Sequence, residues 1–144
     1  MGKKRNKVLI SNVILLAWFF LDMIGVSFGN NILVTRSYRE DWMFFIIFLI
    51  VLLWFMKSDK VGKFVLPIWL FMWFSAQFFS HWYFTIFGPW EGKNKYFEET
   101  IKLIPSDIVY IPDLYHIVLH LLILASLFFT VNYGVVRRIN KFQF

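Results

Sequence analysis

Residues 8–29 read VLISNVILLAWFFLDMIGVSFG, an apolar run preceded by Lys3, Lys4, Arg5 and Lys7 and interrupted by one acid, Asp22. At ~1.5 Å per residue, a helix of this length crosses the ~30 Å hydrocarbon slab of a bilayer. Secretory signal cores are shorter and lack an acidic residue, so this run is expected to persist as an uncleaved first span.

Three further runs repeat the pattern. Residues 42–56, WMFFIIFLIVLLWFM, are short for a span and need Asp41 and Lys57 to reach opposite interfaces, with Trp42 and Trp54 as belt residues. Residues 64–88 carry His81 and place Pro67 in an expected first turn, where its missing N–H does little harm. Residues 114–135 carry His116 and His120 and follow Pro112-Asp113, a helix-start signature. Between the last two runs, Tyr96, Phe97, Ile101 and Ile104 recur at helical spacing, with Lys95, Glu98, Glu99 and Lys102 among them. That alternation predicts a short amphipathic helix lying in the interface. The expected fold is all-α: an integral membrane bundle of four transmembrane helices, with that interfacial helix before the last. The whole of residues 1–144 forms one transmembrane domain.

Composition points the same way. The chain is 59% hydrophobic and 22% aromatic, above the roughly 45–50% apolar content of soluble domains. A chain of 144 residues has too little interior to hide so many large apolar side chains from water. A bilayer removes the difficulty, because lipid-facing positions are apolar as well.

The net charge of +6 is distributed as a topology signal. Lysines and arginines cluster at residues 3–7, 57–63 and 137–141, each cluster against an apolar run. The intervening loops dilute Arg36, Arg39, Lys93, Lys95 and Lys102 with Glu40, Asp41, Glu91, Glu98, Glu99, Asp107 and Asp113. By the positive-inside rule both termini and the 57–63 turn face the cytoplasm of a cell membrane. The basic clusters then meet anionic lipid. No continuous basic face of a folded domain is available for nucleic acid. The expected partners are the lipid bilayer and another membrane protein.

Several chemistries are excluded by what is missing. Without cysteine there is no thiolate metal site and no disulfide exchange. No glycine-rich phosphate loop, Walker-type lysine or serine triad is present.

The remaining chemistry lies in ionisable residues within the apolar runs, which are costly in hydrocarbon unless they are paired or functional. Counted from the expected outer ends of their helices, Asp22, His81 and His120 each lie about 10 Å deep. His116 shares a face with His120 because i and i+4 project together. Gln77, His81 and Thr85 form a stripe on the third helix, Asp22, Gly25 and Gly29 one on the first, and Asp113, His116 and His120 one on the fourth.

Several readings of this cluster follow. His81, His116 and His120, with Asp22 as fourth ligand or catalytic base, match the donor set of a tetrahedral zinc site acting on a lipid-like substrate at the outer leaflet. Haem held by two histidines is a variant. Interhelical pairing alone is the structural alternative. Asp22 as the coupling site of a small transporter is another. The base rate for so small a chain favours a non-enzymatic accessory, regulatory or protective component of a membrane or cell-envelope system.

Overall fold

The computed structural model describes the backbone of residues 2–142 and the side-chain surroundings of residues 2–135. The expected C-terminal basic flank, Arg137, Arg138 and Lys141, lies outside the described side chains. The chain runs α1 (Gly2–Ile24), β1 (Val26–Phe28), β2 (Asn31–Val34), α2 (Tyr38–Lys57) and α3 (Asp59–Gln77). A π-helical segment, Phe78–Trp82, then carries α3 on into α4 (Tyr83–Phe87), and α5 (Glu91–Tyr96) and α6 (Leu114–Phe142) complete the order. Three helical stretches, Gly2–Ile24, Asp59–Phe87 and Leu114–Val135, are long and apolar enough to cross a membrane.

The long helices close a ring in which α1 and α3 each pack against both α2 and α6. Polarity is inverted relative to a soluble protein. Ile10, Ile14, Phe20, Ile50, Ile68, Phe71, Leu121 and Phe128 are exposed, while Asn12, Asp22, His81, His120, Ser126 and Thr130 are buried. An apolar exterior with a polar thread inside suits lipid as solvent.

Particular contacts set the register. Trp18 stacks on Tyr115 at 5.6 Å and 12° between planes. The Trp18 indole N–H donates to the Tyr115 carbonyl at 3.2 Å, and the Tyr115 hydroxyl donates to the Trp18 carbonyl at 3.4 Å. At the opposite end, Arg5 pairs with Asp59 at 3.3 Å and donates to the Met56 carbonyl at 2.8 Å, while the Tyr133 hydroxyl donates to Asp59 at 2.8 Å. One carboxylate therefore gathers α1, the α2–α3 turn and α6.

The structure differs from expectation in four places. First, α1 stops at Ile24, and residues 26–34 form an antiparallel hairpin. Gly25 and Gly29 are not members of a helical stripe: they take positive φ of 71° and 61°, as the turns beside β1 require. Second, α2 begins at Tyr38, earlier than the apolar run, because Glu40 and Asp41 in its first turn complement the helix dipole. Third, Pro67 lies inside α3, which starts at Asp59. The carbonyl of Lys63, four residues before it, thus loses its ladder partner. It faces Gly134 of α6, where a Cβ would come within 3.6 Å. Fourth, the helical segment of the outer loop is Glu91–Tyr96, and Phe97 to Pro112 run without helix.

That irregular stretch is nonetheless tied down. Ile32 of β2 bridges Thr100 in parallel, with Ile32 N–H to the Glu99 carbonyl at 3.2 Å and Ile101 N–H to the Ile32 carbonyl at 2.8 Å. Leu114 N–H, at the start of α6, donates to the Ile101 carbonyl at 2.9 Å. The hairpin, the loop and α6 form one hydrogen-bonded cap.

Candidate functional site

Beneath this cap the polar residues form two adjoining groups. The first is built on histidine. The π segment widens the third helix at Phe78–Trp82, and π-turns recur at functional positions. Here it carries His81, which is buried. Burial and the neighbouring Asp113 charge raise the pKa of Tyr110, so its phenol keeps its proton. The hydroxyl then donates to His81 Nδ1 at 2.6 Å.

Asp113 is the N-cap of α6, as the sequence predicts. One carboxylate oxygen accepts the backbone N–H of His116 at 2.9 Å and the ring Nδ1–H of the same residue at 2.7 Å. His120 donates Nδ1–H to the His116 carbonyl, and among the described residues its buried Nε2 has no hydrogen-bond partner. The three imidazoles meet, with ring centroids 4.0 Å apart for His81 and His116 and 5.8 Å for His81 and His120. Lys93 and Lys102 each place an ammonium 6.0 Å from the Tyr110 ring centre and within 5.8 Å of that of Phe97. Partial burial lowers the pKa of both lysines, and for Lys102 the Asp113 carboxylate opposes the shift.

The second group is a cavity of about 160 Å³ lined by residues of α1, α2, α3, α6 and the outer loop. Asp22 points into it from α1 and lies within hydrogen-bonding reach of Asp41 on α2 and of Ser37 just before it. Glu40, Gln77 and His116 add polar atoms, and Phe19, Tyr96, Phe97 and Tyr115 add aromatic surface. A backbone bond from Ser37 N–H to the Asp22 carbonyl, 2.9 Å, holds the two loop ends together. Two carboxyl groups in mutual contact require a proton between them, because like charges so close cannot both ionise. Among the described residues no lysine or arginine forms an ion pair with either acid.

The structure therefore redistributes the residues singled out from sequence. His81, His116, His120 and Asp113 come together. Gln77 lines the cavity together with His116, and Thr85 donates to the His81 carbonyl at 3.4 Å. Asp22 engages Asp41 and Ser37 in place of an imidazole. Because α1 ends at Ile24, Asp22 sits at the outer end of its helix and not 10 Å beneath it.

The structure does not support the expected zinc site. Among the described residues no three of the His, Asp and Glu side chains are arranged to hold one ion. Two imidazoles on a tetrahedral ion hold their ring centroids about 5 Å apart, and His81 and His116 are packed closer than that. The histidine rings also pack against Phe74, Trp82 and Phe97.

Sequence reading missed Asp41, Glu40, Tyr110, Tyr115 and Ser37. The adjacent acids at the start of α2 were a signal, since a hydrophobic run rarely opens on two carboxylates without a partner or helix end to absorb them. Nothing local marked Tyr110. Chemically, the site sets the carboxyl pair of Asp22 and Asp41 beside aromatic surface in one enclosed space. No protein-family model, curated protein or solved structure matches this chain.

Proposed function

We propose that this chain is a four-pass protein of the cell membrane with both termini on the cytoplasmic side. It serves a membrane or cell-envelope system as a non-enzymatic accessory, regulatory or protective component. In this reading α2 is the fourth span, crossing through residues 42–56 while Arg39, Glu40, Asp41 and Lys57 remain at the interfaces. The short helix Glu91–Tyr96 and the exposed Leu103, Ile104 and Ile108 rest in the outer interface.

The observation that carries the reading is the ordered outer cap. Hairpin, loop and α6 start are joined by backbone hydrogen bonds, and most titratable groups beneath them are held by one another. Such an arrangement presents a fixed outward surface and no reacting atom. Purification of the unmodified protein from its native membranes tests it. A stoichiometric membrane partner is the expected result, and recovery only as a lone monomer would count against it.

A second reading, a small transporter with Asp22 as its coupling site, is favoured by the Asp22–Asp41 contact inside a cavity. It predicts flux across reconstituted vesicles driven by a pH gradient and abolished by Asp22→Asn. Flux indifferent to the gradient and to the substitution would remove it.

A further inference from the structure

We infer that the cavity bounded by Asp22, Asp41 and Tyr115 takes a small primary ammonium ion, with the carboxyl pair as its counter-charge. This inference rests on the second reading above and names the class of its ligand.

Three observations converge on it. Asp22 is only 5% exposed and touches Asp41 at the cavity wall, and among the described residues no lysine or arginine forms an ion pair with either acid, His116 being the basic group near Asp41. A buried carboxylate without a cation is costly, so a diffusible cation is the missing partner. The walls are aromatic: Phe19, Tyr96, Phe97 and Tyr115 line the same space, and aromatic faces attract organic cations. Finally, Gln77 lines the cavity, and among the described residues its buried side-chain oxygen has no hydrogen-bond donor. It is an acceptor awaiting an N–H.

These features select among cations. A bare metal ion requires oxygen ligands on all sides at roughly 2.0–2.6 Å and makes no use of the ring walls. A quaternary ammonium uses the rings but has no N–H for Gln77. A primary ammonium uses the acids, the rings and the amide together, and a volume of about 160 Å³ admits only a short alkyl group.

Binding also has a proton balance. The empty pair holds one proton between Asp22 and Asp41; the ammonium ion enters and that proton leaves, so charge is conserved. The other groups facing the pair are Glu40 from α2, Ser37 just before it, Tyr115 and His116 from α6, Tyr96 from the outer loop and Gln77 from α3. Because the ammonium ion displaces that proton, affinity rises with pH.

The test is an equilibrium titration of the full-length protein in detergent with n-propylammonium chloride, followed by tryptophan fluorescence. Trp18, stacked on the cavity residue Tyr115, is the reporter. Sodium chloride and tetramethylammonium chloride at matched ionic strength are the references. The expected result is a saturable change with propylammonium, a weaker one with tetramethylammonium and none with sodium. Asp22→Asn and Asp41→Asn should each weaken binding by about tenfold or more, the loss of a charge-assisted hydrogen bond.

No saturable change beyond that of sodium would overturn the inference. So would tetramethylammonium binding as tightly as propylammonium, or wild-type affinity in both variants. Should Asp22→Asn fail to elute as the wild-type species does, Asp41→Asn at the half-buried position carries the same decision. Vesicle flux is a separate readout: binding without flux removes the transporter reading and leaves the ligand class standing.

Discussion

Asp113 shows how much one side chain settles at this site. A single oxygen caps α6 and, by accepting from Nδ1–H, holds the ring of His116. Asp113→Ala removes both contacts, and thermal unfolding in detergent should report a loss of about 1–2 kcal/mol. Asp113→Asn keeps an acceptor for the backbone N–H and should lose less. Equal losses in the two variants would show that neither contact matters. Tyr110→Phe should cost about 1–3 kcal/mol, since it leaves His81 Nδ1 buried without a donor; an unchanged melting temperature would contradict that.

The two cap lysines make a pH prediction. Burial lowers their pKa below the ordinary lysine value of ~10.4, so the unfolded chain binds more protons than the folded one in the alkaline window between the two. Stability therefore rises with pH through that window, because the cost of holding the ammonium charges in the cap fades. The double substitution Lys93→Met and Lys102→Met should flatten the rise. Melting temperatures measured across that range check it, and an identical slope in the variant would refute the assignment.

At the scale of elements, α2 and α3 approach closely at Gly62. A Cβ at Gly62 would collide with the backbone of Phe55, so the helices must part to accept one. Gly62→Ala should destabilise by about 1–3 kcal/mol, read as a lower melting temperature; no change would mean that the helices are free to separate. The π segment has a comparable role for the third helix. An α-helix advances about 100° per residue, so deleting Ser80 to restore regular spacing should swing His81 away from Tyr110. Histidine ring NMR signals should then lose their mutual ring-current shifts, and retention of those shifts would place the cause elsewhere.

For the molecule as a whole, the proposed orientation is checkable because the chain has no cysteine of its own. Single cysteines at Asn30 and Asp107 should react with an impermeant maleimide in intact cells, while one at Lys60 should react only after permeabilisation. Labelling of the Lys60 position from outside would reverse the topology or reduce the span count. The two ends of the bundle are also unequal. Asp59 holds three segments together at one end, whereas the other end encloses the cavity beneath a cap built of loops.

Sequence alone determined the membrane class and three of the helices long enough to cross, because the bilayer demands length and apolarity, both of which are local properties. It also marked Asp113 as a cap, since capping involves residues three apart. It placed the histidines in one neighbourhood through helical periodicity. It could not find the hairpin, because Val-Ser-Phe suits a strand as well as a helix, and only the positive φ of Gly25 and Gly29 separates the two. Nor could it find the partner of Asp22: Asp41 reaches it only because the hairpin returns the chain and α2 packs on α1. Tyr110 was equally hidden, since its bond to His81 spans a loop without periodic pattern. Contacts of that kind are decided by how elements turn and pack, and that information exists only once the chain is folded.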